Sequence, residues 1–333
     1  MAGNLSVTRE YDRVFSLVQD KLSSNVLFDN ASSRTAYLYA MKLKGNMPSV
    51  DGRANLRFSI LKELPSTIGY TDDDTLTPTR PDAFTSAIFE WKQLATPVNV
   101  TGRDMIRTEN GAIADMLTAL IMAAETGMRE SLGGSSVGVF STADETELRK
   151  FSGLQSHLTN STTTGTVGNL SRATLTAWRH QSSNVSSAFA TNGLDRFRTL
   201  YRQCGRFDEN VDLIVLTGST MDNYEDALTS TFHVNLPLGM GGQGNADMID
   251  AGFWNIRYKN AMVFADDSVP ANYGYFLNSK YIKLYMRQGR ESELGDFVKS
   301  RDKDDVVAYV YTAGNQCITA LARHGVLLNG DTN

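Results

Sequence analysis

Cysteine is nearly absent from this chain. Two residues, Cys204 and Cys317 among 333, cannot build a disulfide framework or complete a zinc site by themselves. Cys204 shares a helical face with Phe197, Leu200 and Tyr201, and Cys317 sits in a late strand-like run, so both read as core thiols. No apolar run approaches the roughly eighteen residues that a membrane span needs. The N-terminal stretch MAGNLSVTREYD has no basic-then-apolar signal pattern, which places synthesis and folding in the cytosol without a membrane partner. Six Asn-x-Ser/Thr sites occur, at Asn4, Asn30, Asn99, Asn160, Asn169 and Asn184. Without a secretory signal they reflect composition alone, and a secreted adhesin is set aside.

Positive charge is not in excess either. Thirty-two Lys and Arg against 37 Asp and Glu give a net charge of −5, so no global basic field draws the protein onto nucleic acid, although a local basic face stays open. No self-similar period marks a solenoid. Hydrophobic residues at 41% and charged residues at 21% are near globular averages, which excludes wholesale disorder and leaves one large domain or two smaller ones.

Catalytic and ligand motifs are missing as well. The four histidines, His157, His180, His233 and His324, show no H-E-x-x-H or comparable spacing, so no metal is expected. Ser, His and Asp are present without a G-x-S-x-G elbow, and no catalytic residue is assigned. Gly239-Met240-Gly241-Gly242-Gln243-Gly244 is a literal G-x-G-x-x-G. A dinucleotide site needs a strand before it and a helix after it; here Pro237 interrupts the approach and Gly252 follows too soon. A glycine loop without a cofactor is the better reading, and a nucleotide-binding enzyme is the alternative from another class. Asp72, Asp73 and Asp74 lack the spacing of an EF-hand loop and read as a solvated cluster.

What is present is an unusual order of parts. The first sixty residues carry short apolar patches (Val14, Phe15, Leu17, Val18; Tyr37, Leu38, Tyr39) between polar stretches, as in an extended arm with brief helical pieces. Residues 64–91, with Pro65, Pro78, Pro81 and the aspartate triple, lie between the strand-like runs Leu56, Phe58, Ile60 and Phe84, Ile88 to Trp91. That pattern predicts a long β-hairpin with a polar tip, an excursion that a compact domain rarely keeps unless something else binds it. Thr101 and Asp104 form a capping box. Beyond them Ile106, Ile113, Leu117, Leu120, Ala124, Met128 and Leu132 share one helical face, and Gly133-Gly134 ends the run. Unbroken, such a helix has about 30 residues and a length of about 45 Å; Asn110-Gly111 is a candidate kink or restart. An ordinary core helix is the competing account, but the length beside a hairpin and an arm favours an elongated molecule.

Residues 151–194 contain no acidic residue and read as loops with short elements, followed by an amphipathic helix from Leu194. VDLIVLTG (211–218) reads as a buried strand, with Ser219 and Asp222 capping the next helix, a small α/β unit. Trp254, Ile256, Tyr258 and then Ile282, Leu284, Met286 alternate with polar or aromatic neighbours, as strands with one buried face do. Gly314-Asn315 sits between two strand-like runs and predicts a short hairpin turn.

This order resembles the major capsid proteins of tailed bacteriophages with the Hong Kong 97-type fold, which encapsulin compartments share. PDAFTSAIFEWKQLATPVNVTG leading into ENGAIADMLTALIMAAE is similar to that family's hairpin return and spine helix. FSGLQSHL and TVGNLSRATLTAWRHQ resemble its approach to the axial domain, with Gly168-Asn169-Leu170 where Gly-Gly-Ile is commoner. DLIVLTGSTMDNYEDAL resembles its strand-helix pair, and NADMIDAGFWNIRYKNAMVFADDSVPANYGYFLNSKYIKLYM is the longest matching run. The likeness covers roughly residues 60–328 and is weakest over 225–245.

The resemblance implies an α+β fold: an N-terminal arm (1–61), an extended loop (62–92), a peripheral domain with the spine helix (93–150), an axial domain (151–274), and peripheral strands with the C-terminus (275–333). It implies a structural, non-enzymatic protein without cofactors that assembles with itself as hexamers and pentamers into an icosahedral shell around double-stranded DNA, held non-specifically. The expected place is the virion capsid, assembled in the bacterial host cytoplasm. A portal and a decoration protein are further expected partners, and since the chain begins almost directly with the arm, a separate scaffolding protein is expected too. Some relatives weld subunits through a lysine in the extended loop; from Leu64 to Trp91 there is none, so non-covalent contacts are expected, with Asp72, Asp73, Asp74, Arg80 and Trp91 as intersubunit candidates. An encapsulin-like compartment shell is the nearest alternative.

Overall fold

The computed structural model describes residues 35–65, 67–75, 82–103, 110–206, 209–232, 255–301 and 303–331. In chain order these form α1 (Ala36–Leu43), β1 (Ser49–Val50), β2 (Leu56–Leu61), β3 (Phe84–Phe89), β4 (Lys92–Thr101), α2 (Asn110–Gly133) and the single turn α3 (Leu154–His157). Then come β5 (Thr166–Val167), β6 (Leu170–Ser171), β7 (Gln181–Asn184), α4 (Phe189–Cys204), β8 (Leu213–Leu216) and α5 (Gly218–Phe232). The rest is β9 (Asn255–Tyr258), β10 (Ala261–Ala265), β11 (Tyr273–Leu277), β12 (Ile282–Leu294), β13 (Val298–Lys299), β14 (Asp305–Ile318) and β15 (Gly325–Leu328). Among the described residues no helix is long and apolar enough to cross a membrane.

Long strands with one apolar side organise the first sheet. β14 takes β12 and β13 along one edge and β4 along the other, all antiparallel, while β1 joins β12 in parallel. Even-numbered Val98 and Val100 of β4 face inward with Ala308 and Val310 of β14, and α2 covers them with Leu117, Ile121, Ala124 and Met128. Of the helical face read from the sequence, Leu117, Ala124, Met128 and Leu132 are buried and Leu120 is partly buried, while Ile121, outside that face, is buried as well. Gly102 and Arg103 are helical, but Asp104 and Ile106 lie outside the described residues, as does the glycine run 239–244.

The second sheet has the order β7-β15-β11-β8-β10-β9. β8 is buried on both faces: Leu213 and Val215 point into the central core, Ile214 and Leu216 toward α4 and α5. A strand covered twice has no use for polar alternation, which is why LIVL reads as a continuous apolar run. On the helical side Phe197 of α4 stacks on Tyr224 of α5 and meets Phe276 edge-on, with ring centroids 4.8 Å and 4.7 Å apart. Cys204 and Cys317 are buried free thiols.

Four local expectations change. The brief helical piece at 36–43 is a helix, but Tyr37, Leu38, Ala40 and Met41 are buried in the central core, and the Tyr37 amide donates to Asp266 Oδ2 at 3.0 Å. Helix α4 starts at Phe189, five residues before Leu194, because Phe189 is its first buried anchor and lies against the bare face of Gly193. The cap of α5 is Thr217, whose hydroxyl accepts the Thr220 amide at 3.2 Å, whereas Ser219 and Asp222 lie inside the helix. Finally, Gly314-Asn315 is no turn: β14 runs through it. A Cβ on Gly314 would sit 2.6 Å from the Tyr285 carbonyl oxygen, so this glycine marks a close approach of two strands.

Candidate assembly surface

The hairpin expected from residues 62–92 begins as a two-stranded sheet. β2 pairs with β3 from Leu56↔Phe89 to Leu61↔Phe84, and the Lys62 amide extends the ladder to the Ala83 carbonyl at 2.8 Å. Beyond it, none of the described residues 63–65 and 67–75 is buried. The aspartate triple lies in an exposed turn in which Asp74 Oδ2 accepts the Thr71 amide at 2.7 Å; Asp72 and Asp73 are exposed beside it. Arg80 lies outside the described residues. Trp91 sits at the opposite end, partly buried, its indole N–H donating to the Arg53 carbonyl at 3.0 Å.

The described part of the hairpin is less polar than expected. Leu61, Leu64, Ile68, Tyr70 and Phe84 are 50%, 65%, 61%, 67% and 72% exposed. Five large apolar side chains on one excursion form the kind of surface that marks an interaction site. The signal was in the sequence, as apolar residues scattered through a Pro- and Asp-rich stretch, but the polar neighbours masked it.

At its root the hairpin rests on buried charge. Alternation along β4 puts Lys92 on the inward side with Val98 and Val100, and its ammonium, fully buried, donates to the carbonyls of Asp144, Glu145 and Glu147 at 3.0, 3.1 and 2.7 Å. Burial pushes the ammonium below its usual range, against the pull of Glu145, Asp144, Glu147 and Glu90. Glu145 Oε2 accepts the Glu90 amide at 3.3 Å and Asn315 Nδ2 at 3.4 Å. The same Asn315 amide donates to the Glu90 carbonyl at 2.8 Å, so strand β14 fastens the junction between β3 and β4.

Next to this junction three of the four histidines are buried, His157, His180 and His324. Arg172 is buried with them; its own stretch of chain, 151–194, contains no carboxylate, and it donates to neutral acceptors: the His157 carbonyl at 3.3 Å and His180 Nδ1 at 3.1 Å. Burial pushes His180 down to about 4 and His324 to about 3. Among the described residues no group of three or more His, Cys, Asp or Glu is arranged to hold a metal ion. The cluster was not legible from spacing, because its members come from separate elements.

No protein-family model and no curated protein sequence matches the chain. Solved structures do. The capsid of cyanophage A-1(L) superposes with a TM-score of 0.64 at 15% identity, over 87% of this chain and 92% of that one. The capsid of a native GTA particle gives 0.56 at 14% identity, over 86% and 89%. The SrpI encapsulin of Synechococcus elongatus PCC 7942 gives 0.50 at 12% identity, over 87% of each. At such identities the likeness speaks for the fold, and it covers most of both chains. With its two main sheets, a long helix packed by one face on the first of them, and a hairpin, the chain has the Hong Kong 97-type fold of tailed-bacteriophage capsid proteins.

Proposed function

We propose that this protein is a structural capsid subunit that assembles with itself, as hexamers and pentamers, into an icosahedral shell around double-stranded DNA. The observation that carries the reading is the hairpin: in a fold shared with phage capsid structures, Leu64, Ile68 and Tyr70 are exposed, and none of the described residues 63–65 and 67–75 is buried. A neighbouring copy of the same surface would cover them, and repeated symmetric contacts close a lattice. Asp72, Asp73, Asp74, Arg80 and Trp91 are assigned to that contact, the charges at its rim and Trp91 at its base. The arm, loop, peripheral and axial divisions at 61, 92, 150 and 274 follow the same reading, as do a scaffolding protein, a portal and a decoration protein as partners in a virion assembled in bacterial cytoplasm. No catalysis or cofactor is assigned.

Electron microscopy of the purified protein, with light scattering for particle mass, tests this. Closed polyhedral particles or tubes are expected; a monodisperse monomer at every concentration and salt tried counts against it. The SrpI likeness supports a second reading, a cellular compartment shell. The contents of the particles separate the two: nucleic acid for a capsid, a protein cargo for a compartment.

A further inference from the structure

The three buried histidines are not equivalent, and the difference is one of hydrogen bonding. His180 Nε2 faces the Thr159 carbonyl at 2.8 Å and its Nδ1 faces the Arg172 guanidinium at 3.1 Å. A carbonyl only accepts and a guanidinium only donates, so the ring is neutral with its proton on Nε2. His324 Nδ1 accepts the Asn278 amide at 3.3 Å, which again leaves the proton on Nε2. Protonating either ring would set an N–H against an N–H. His157 has no such lock: neither ring nitrogen has a hydrogen-bond partner, although the residue is only 1% exposed.

Its surroundings supply one acceptor. Glu145 Oε1, itself buried and without a hydrogen-bond partner, lies 3.7 Å from His157 Nε2. That is about 1 Å too long for a hydrogen bond and close enough to become one when a proton makes the pair charge-assisted. The other carboxylate oxygen is held only by two long bonds, from the Glu90 amide and from Asn315 Nδ2. The imidazole ring also meets Phe89 edge-on, with centroids 6.0 Å apart. His157 thus touches Phe89, the last residue of β3, and Glu145 holds Glu90, the residue after it, where the hairpin leaves the body.

We propose that His157 and Glu145 form a proton-operated latch at the root of the hairpin. Water delivers one proton to His157; the imidazolium draws the Glu145 carboxylate toward Nε2 and away from the Glu90 amide and Asn315. The root of β3 then loses a tie to the body, and the hairpin gains freedom.

The remaining charges set the size of the effect. Asp144, Glu145 and Glu147 of the 141–148 loop and Glu90 at the β3–β4 junction all face the Lys92 ammonium, so Glu145 shares its attraction between Lys92 and His157. Arg172, beyond the β6 strand, bonds the His157 carbonyl and opposes a second positive charge. His180, at the approach to β7, and His324, ahead of β15, stay neutral until well below the range in which a histidine ordinarily titrates. Cys317 on β14 also lies in the field of Glu145 and is pushed up, mainly by its burial, so it contributes no charge. One proton is therefore the working stroke.

The latch is intramolecular, so the unassembled subunit reports it and the test stands apart from shell formation. Hydrogen exchange is followed at the Ile88, Phe89 and Glu90 amides at about pH 7.5 and about pH 5, on either side of the histidine range, with the intrinsic pH dependence of exchange removed. Wild type is expected to lose protection at the Glu90 amide by about tenfold at the lower pH, a local opening rather than global unfolding. His157→Gln and Glu145→Gln, checked by circular dichroism for intact fold, should each abolish the change. In wild type the His157 ring resonance should titrate with the same midpoint as the Glu90 amide, a readout that needs no variant. Glu90 protection unaffected by pH, a shift that survives both substitutions, or a His157 ring that does not titrate while the protein stays folded would overturn the latch.

Discussion

The Lys92 ammonium lies 2.7 Å from the carbonyl oxygen of Glu147 and holds two further carbonyls of the same loop, those of Asp144 and Glu145. One inward-pointing lysine thus binds the 144–147 loop to strand β4. Lys92→Met keeps much of the side-chain volume but leaves the carbonyls of Asp144, Glu145 and Glu147 without that donor. The expected loss is about 3 kcal/mol, seen in urea unfolding as a lower midpoint with an unchanged slope.

Asp331 acts at long range on the start of α5. Its carboxylate accepts the hydroxyls of Thr217 and Thr220 and the amide of Asn272. Burial alone would push the acid up, but these donors together hold it below the usual carboxylate range. A depressed folded value means that the stability is present above the unfolded value of about 3.9 and is lost as pH falls through the folded one. Unfolding measured across this acid range should be less steeply pH-dependent in Asp331→Asn than in wild type. At neutral pH the variant should be less stable by about 1 kcal/mol.

Gly314 allows β14 to pass close to β12. In Gly314→Ala the new methyl would meet the Tyr285 carbonyl at 2.6 Å and Met286 Sδ at 2.9 Å. Main chain cannot swing aside as a side chain does, so overpacking should cost about 3 kcal/mol. Thermal unfolding of the variant checks this; an unchanged melting temperature would contradict the close approach.

Ile68→Asp with Tyr70→Asp tests the hairpin as an assembly surface. Both side chains are exposed, so the subunit should lose no more than about 0.5 kcal/mol of its own stability. Particle formation should fail, because a shared contact would bury two unpaired carboxylates. Deleting residues 70–80 should do the same. Light scattering separates the outcomes, and normal particles from either variant would refute the intersubunit role.

Sequence reading and structure agree where a residue's partners are set by periodicity. Leu117, Ala124 and Met128 of α2 and the alternating Ile282, Leu284 and Met286 are buried as their spacing required, and β8 is covered on both faces as its unbroken apolar run implied. Failures cluster where an element is defined by a contact distant in sequence. Gly314 reads as a turn because glycine usually marks one; only the packing of β12 reveals a close approach instead. The α5 cap was misplaced by two residues because Asp331, more than a hundred residues away, completes it. Leu64, Ile68 and Tyr70 were passed over because their neighbours are polar.

The sequence by itself determined the class of molecule: few cysteines, no catalytic or ligand motif, a hairpin too long for its own body and an amphipathic spine, in the order of a capsid fold. Local periodicity marks the apolar faces, which must find cover wherever the chain goes; the capsid class is what the resemblance of whole runs of sequence implies. Only the tertiary structure decided that Lys92, Glu145, His157 and Arg172 meet in one buried place. Those residues come from separate stretches of chain, and the protonation of a buried group depends on which donors, acceptors and charges surround it in space.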